Sequence, residues 1–151
     1  MDPQVVRCSG GAPVSGGLPE ILQPEGWAPA KGYANGVAAE GRMVFVAGQI
    51  GWNPATCAFE SDDFVAQAAQ ALRNVAAVLA AAGARPHHVV RMTWYLTDRR
   101  EYLDAGRELG AAYREVFGRH YPAMAAVIVA GLVEERARVE IEATAVVPRG
   151  S

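Results

Sequence analysis

The segment that most constrains the fold is "RVEIEATAVV", at residues 138–147. From Val139 onward apolar and polar side chains alternate, and successive side chains of a strand point to opposite faces of a sheet. Glu140 and Glu142 therefore share one face, and Ile141 lies on the other. The segment is predicted to be a strand with one face in a core and the other face outside it.

Two helices are predicted between the strands. Within residues 62–82, a stripe of apolar positions recurs every three or four residues and consists of Phe64, Ala68, Leu72, Val75 and Leu79. Such a period is typical of an amphipathic helix, whose other face would hold the polar residues Gln67, Gln70 and Asn74. Residues 98–118 are predicted to form the second helix, with Asp98 as a candidate N-cap and Gly118 at its end.

The order of the elements predicts the fold class. Further strands are expected at residues 42–50, 89–96 and 123–132. Strands, helix, strand, helix and two strands in this order are typical of an α+β fold with two helices on one face of a mixed sheet. No third helix is left to cover the other face. A second subunit is therefore expected to cover it.

The 151 residues suit a single domain. Residues 1–25 are rich in Gly, Pro and Ser and are expected to form a flexible N-terminal arm, with the domain at residues 26–148. The closing "VPRGS" resembles the end of a thrombin recognition sequence, so residues 149–151 are expected to be a vector-derived tail.

Charge and composition argue against several classes of partner. The net charge of -2 and the pI of about 5.9 give no reason to expect nucleic acid or an anionic membrane. No apolar stretch of about 18 residues is apparent, and the opening residues do not resemble a secretory leader. Cys8 and Cys57 are expected to be reduced thiols of a cytoplasmic protein.

The residues that could carry chemistry each have a plainer interpretation. Glu140 and Glu142 fit a solvated strand face, or one of them fits a general base in a cleft between subunits. His87, His88 and His120 lie next to strands with no third ligand at a suitable spacing, so surface turns are expected and no metal site. The aromatic residues near strand ends, Tyr33, Trp52, Trp94 and Tyr95, favour core or interface packing over a binding wall.

Several segments in order resemble one known family. "GYANGV", "MVFVAGQIGWNP", "HYPAMAAV" and "VEIEATAVV" are similar to successive motifs of the Rid family, also called YjgF/YER057c/UK114, and the resemblance covers residues 25–148. It implies a chorismate-mutase-like α+β fold with a mixed six-stranded sheet and two helices on one face. It also implies a homotrimer around a central β-barrel, with an active cleft between each pair of subunits and no cofactor.

The best-known members of that family hydrolyse reactive imines and enamines, such as 2-aminoacrylate, to a keto compound and ammonia. The resemblance assigns Glu140 to the glutamate that orients water and Tyr33 to an early tyrosine of the cleft. The arginine that binds the substrate carboxylate in the family corresponds to Met124. Other polar positions of the family are also apolar or bare here, at Ala47, Gly106 and Ala126.

The loss of the arginine changes the expected substrate. We expect a larger apolar or aromatic imine or enamine, with Tyr33, Trp52, Trp94, Met124 and Ala126 in contact with it and Glu140 activating water. Arg91 and Arg138 are candidates for a replacement anchor. A trimer that binds a small metabolite without converting it remains an alternative. RNA cleavage or translation inhibition is disfavoured by the acidic pI.

Small imino acids should be poor substrates, because their carboxylate would face the thioether of Met124 instead of a guanidinium. Purified protein added to an amino-acid oxidase reaction that releases 2-aminoacrylate-type imines should barely lower the amount captured by a chemical trap. Strong acceleration of imine loss would contradict this expectation.

Overall fold

The structure is a computed structural model, and it describes residues 17–150. The strands are β1 (Glu20–Leu22), β2 (Gly36–Ala38), β3 (Arg42–Ile50), β4 (Val89–Leu96), β5 (Ala123–Ile128) and β6 (Val139–Val147). The helices are α1 (Phe64–Ala81), α2 (Arg99–Asp104) and α3 (Gly106–Phe117), and a short 3-10 turn covers Pro86–His88.

The main sheet has four strands in the order β3-β6-β4-β5. Strand β6 pairs antiparallel with both β3 and β4, whereas β4 and β5 are parallel. The α+β class and the mixed sheet with helices are thus confirmed. The expected six-stranded sheet is wrong, because the three-residue strands β1 and β2 hydrogen-bond to each other in a separate antiparallel pair.

The second predicted helix is two consecutive helices. Asp98 caps α2 as expected, since its side chain accepts a hydrogen bond from the backbone N–H of Glu101 at 2.9 Å. The helix stops at Ala105 and resumes as α3, which ends at Gly118 with a φ of 63°. Glycine adopts this left-handed conformation without a steric penalty.

Helix α1 carries the predicted buried stripe, but two residues assigned to its polar face are also buried. Gln67 is only 1% exposed, and its amide donates to the carbonyls of Ser61 and Arg136 while its oxygen accepts from the N–H of Arg138. Asn74 donates to backbone carbonyls at the end of β3 and just after it. The helix therefore holds loop backbone in place through polar contacts as well as through apolar packing.

The two faces of the sheet differ sharply. The odd-numbered residues of β6 are buried on the face that the helices cover, together with Met92 and Trp94 of β4. On the opposite face, which we call the open face, Met43 and Phe45 are 55% and 71% exposed. Exposed apolar side chains of this size on a sheet face are typical of a contact surface.

The expected N-terminal arm and the expected lack of a long apolar segment both differ from the structure. Strand β1 lies within residues 1–25, so the end of the expected flexible arm pairs with β2; residues 1–16, with Cys8, lie outside the described residues. In residues 17–150, α1 is long and apolar enough to cross a membrane by length and composition, contrary to expectation. Because 44% of it is buried inside the fold, as in a core helix, this is weak evidence for a span.

Replacing Gln67 by leucine should destabilise the fold strongly. The side chain is nearly isosteric, but two carbonyls and one N–H would lose their partners in a buried place, at a total cost of about 3 kcal/mol. Chemical denaturation should measure this loss. The matched control is Arg73→Leu on the exposed side of α1, which should change stability by no more than about 0.5 kcal/mol. A loss below about 1 kcal/mol for Gln67→Leu would contradict the assigned role.

Candidate functional site

A cavity of about 490 Å³ lies between strands β4 and β5, helices α2 and α3, and the loop at residues 31–33. We call it the aromatic cavity. Its wall is mostly apolar and includes Tyr33, Trp94, Tyr102, Tyr113, Tyr121 and Met124. Sites for small molecules typically have volumes of about 300–1,000 Å³, with apolar walls and a few polar groups.

The aromatic cavity extends to the helices because two of the residues that line it there are glycines, which have no side chain to fill the space. Tyr102, Gly106, Gly110 and Tyr113 recur at helical spacing along α2 and α3 and line the same wall. A Cβ atom added at Gly106 would meet nothing within 4 Å, whereas one at Gly110 would lie 3.2 Å from an Nη atom of Arg114. The Arg114 guanidinium thus lies beside the space that the missing side chain leaves.

Tyr33 reaches the cavity because the loop before β2 follows the edge of the sheet. The N–H of Ala34 donates to the carbonyl of Pro122 at 2.9 Å, and Ala34 forms an isolated parallel bridge with Ala123. This pairing holds residue 33 beside the start of β5. Tyr33 is 44% exposed and lies at the mouth of the cavity.

Strands β4 and β5 supply the other wall through their register. Met124 pairs with Met92, and Ala126 pairs with Trp94, so these side chains share the face that the helices cover. Met124 packs partly against the core and partly lines the cavity. Trp94 is 4% exposed, and its indole Nε1 has no hydrogen-bond partner among residues 17–150.

Stacked tyrosines stiffen one end of the aromatic cavity. The rings of Tyr113 and Tyr121 lie 5.3 Å apart and nearly parallel, and Tyr113 also stacks on Phe117. The Tyr113 hydroxyl donates to the carbonyl of His120. Burial raises the pKa of Tyr113, so this hydroxyl remains a donor at neutral pH.

The charged residues of the cavity are both basic. Lys31 and Arg114 line it, no aspartate or glutamate does, and neither cation pairs with a carboxylate of residues 17–150. The anchors suggested by the sequence lie elsewhere. Arg138 is paired with Glu101 at 2.8 Å, and Arg91 lies on the open face.

The acidic residues of β6 lie on the open face and do not line the aromatic cavity. Glu142 accepts a hydrogen bond from the hydroxyl of Tyr95 at 2.6 Å, and this bond raises the pKa of Tyr95. The Glu140 carboxylate accepts no side-chain hydrogen bond from residues 17–150. It lies over Gly48, where any side chain would overlap it. Glu140 is therefore the less constrained of the two acids.

Trp52 and His88 lie in places that differ from those expected from the sequence. Trp52 does not line the aromatic cavity; its ring lies 6.0 Å from that of Phe59 in the turn after β3. His88 is buried, in contrast to the expected surface turn, and its Nδ1 accepts a hydrogen bond from the N–H of Arg85. Burial lowers the pKa of His88 and keeps it neutral. Within residues 17–150, no three His, Cys, Asp or Glu side chains are grouped to bind a metal.

The structure thus brings together Tyr33, Trp94, Met124 and Ala126, and it separates them from Glu140 and Trp52. Sequence reasoning missed the contributions of α2 and α3. The sequence did contain a pattern that could have indicated this wall. Its residues recur at helical spacing along α2 and α3 and so lie on one side of this segment: Tyr102, Gly106, Leu109, Gly110, Tyr113 and Arg114.

The fold and the aromatic cavity define a small α+β protein with a concave site for a small molecule. Residues 24–147 match the family model described as Endoribonuclease L-PSP. The chain belongs to this family, whose members of known structure include proteins of the Rid and YjgF/YER057c/UK114 groups. The resemblance seen in the sequence is confirmed.

Individual relatives cover most of the domain. Protein DfrA of Myxococcus xanthus is 40% identical over 119 residues, which is 76% of this chain and 84% of the relative. The human 2-iminobutanoate/2-iminopropanoate deaminase is 33% identical over 76% of this chain and 79% of its own. The structure of YyfB from Yersinia pestis, a Rid family protein, has a TM-score of 0.74 at 31% identity and covers 85% of this chain and 98% of its own.

Introducing an arginine at residue 124 should add an anion site to the aromatic cavity. Met124→Arg is expected to raise the turnover of a small 2-imino acid about tenfold, because a guanidinium can form a bidentate pair with its carboxylate. The imine trap would measure this, with Met124→Leu as the apolar control of similar size. Equal rates for the two variants would show that residue 124 does not face the substrate.

Proposed function

We propose that the protein is a cytoplasmic, cofactor-independent hydrolase that deaminates a larger apolar or aromatic imine or enamine. The family relationship and the deaminases among its relatives support imine-deaminase-like activity in general. The observation that carries the narrower proposal is the place of Met124. It lies in the wall of the aromatic cavity, where a small, charged imino acid has no partner on β5.

The chemistry is an exchange of nitrogen for oxygen at one carbon. Water adds to the electrophilic imine carbon, and the resulting carbinolamine loses ammonia to leave a carbonyl. A general base must accept a proton from the water, and the departing nitrogen must gain one. We assign both transfers to Glu140, which takes the proton as carboxylate and returns it as carboxylic acid.

Glu140 is a better candidate than Glu142 for this role. The two lie two residues apart on the same face of β6, but Glu142 already accepts a hydrogen bond from Tyr95. A carboxylate that is free of such a bond within the chain can turn toward a water molecule. The absence of a side chain at Gly48 gives the Glu140 carboxylate the space that it occupies.

The proposed reaction needs more than one subunit. The aromatic cavity and Glu140 lie on opposite faces of the same sheet, so one chain cannot bring them to one substrate. We propose a homotrimer in which the open face of each subunit meets the cavity side of its neighbour, with Met43 and Phe45 covered in the assembly. The exposure of these two side chains supports such a contact.

A second candidate function is binding without conversion. The absence of any carboxylate from the cavity wall within residues 17–150 favours it, because the cavity alone contains no general base. A trimer of this kind would hold an aromatic metabolite and leave it intact. Turnover of an aromatic imine distinguishes the two functions.

The test uses the imine that an amino-acid oxidase releases from phenylalanine. The native protein should accelerate its hydrolysis, measured as loss of trapped imine and gain of ammonia. Glu140→Gln should slow turnover about 100-fold or more, because general acid–base catalysis typically contributes that much.

The matched control is Glu142→Gln, which removes the same charge from the same face of the same strand. It should keep most of the activity. Full turnover by Glu140→Gln would refute the assigned base. No acceleration by the native protein, together with recovery of a bound aromatic molecule in unchanged form, would favour the binding function.

A further inference from the structure

The aromatic cavity contains two features that the proposed reaction does not use. Arg114 and Lys31 are cations without a carboxylate partner in residues 17–150, and both line the cavity. The indole N–H of Trp94 is buried in the wall without an acceptor. Because this N–H is shielded from the cavity as well as from solvent, the two cations are the groups that a ligand can reach.

We propose that the substrate is an aromatic carboxylate whose anionic group is bound by Arg114 from helix α3, with Lys31 nearby. Its aromatic part would lie between Trp94 and Met124. The inference rests on the proposed function, since it names the substrate class for that site. The carboxylate anchor has moved from strand β5, where Met124 now lies, to the last turn of α3.

The spacing of residues along helix α3 places Arg114 next to Gly110 at the cavity wall. Gly110 lies one turn earlier on the same face, and the Arg114 guanidinium lies close to where a Cβ of residue 110 would be. With no side chain at residue 110, the guanidinium can lie along the helix wall of the cavity, where a side chain at that position would crowd it. Guanidinium groups bind carboxylates in bidentate fashion, and the apolar wall with Trp94 and Met124 can contact an aromatic ring, so the cavity can accommodate both ends of such a ligand.

Charge and size together define the ligand class. Among residues 17–150, the charged side chains that line the cavity are all positive, which disfavours cationic ligands and favours an anion. A three-carbon acid would leave much of the 490 Å³ unfilled. An aromatic ring attached to a carboxylate through a short chain would occupy the apolar wall and still reach the mouth, where the exposed Lys31 lies.

The experiment measures binding by isothermal titration calorimetry with three probes. They are 3-phenylpropanoate, its neutral amide, and butanoate, which keeps the charge but lacks the ring. The native protein should bind 3-phenylpropanoate at least about tenfold more tightly than either of the other two, because a charge-assisted bond and the ring contact would each be lost.

Variants then locate the anchor. Arg114→Gln should weaken 3-phenylpropanoate about tenfold and abolish the preference over the amide, while Arg114→Lys should restore part of it. Arg107→Gln is the matched control, because Arg107 is exposed on the same helix, carries the same charge and does not line the cavity. Circular dichroism would verify that all variants are folded.

Several outcomes would overturn the inference: no detectable binding of 3-phenylpropanoate, equal affinity for the acid and the amide, or equal effects of the Arg114 and Arg107 variants. Failure of this inference can be distinguished from failure of the proposed function. Carboxylate-selective binding without hydrolysis of the phenylalanine-derived imine would support the anchor and refute the hydrolase. Hydrolysis that is unaffected by Arg114→Gln would support the hydrolase and refute the anchor.

Discussion

The alternation of side chains along β6 is the constraint on which the rest of the structure depends. This strand is central in the sheet and pairs antiparallel with β3 on one side and β4 on the other. Every second residue, such as Val139 and Ile141, is fully buried beneath the helices. A shift of one residue would exchange the two faces, burying Glu140 and Glu142 in the core at a large cost in desolvation. The register therefore fixes which face holds the core and which is left open.

The same sheet separates the groups to which the proposed reaction assigns roles. The aromatic cavity forms where β4 and β5 meet the helices, and the carboxylate of Glu140 lies on the other side. A general base and an apolar substrate wall have opposite needs: the base requires polar surroundings that keep it ionised, and the wall requires the exclusion of water. In the proposed trimer, each cleft would combine the two from different subunits.

The size of the aromatic cavity depends on two glycines without side chains as well as on the residues that form its wall. Gly106 and Gly110 leave room on the helix, and Met124 gives the β5 side of the cavity a flexible apolar wall. These residues give the cavity its size and its mostly apolar wall. The guanidinium of Arg114, which pairs with no carboxylate of residues 17–150, remains as a polar group that can orient a ligand there.

The sequence alone determined the fold class, the strands at the core, the buried stripe of α1 and the family, because periodicity and ordered motifs are local properties. It also identified Tyr33, Trp94, Met124 and Ala126, now seen around one cavity. Only the tertiary structure decided that β1 and β2 lie outside the main sheet, that Gln67 is buried, and that α3 supplies Arg114 to the cavity. These depend on which distant segments come into contact, and the pattern of any single segment does not contain that information.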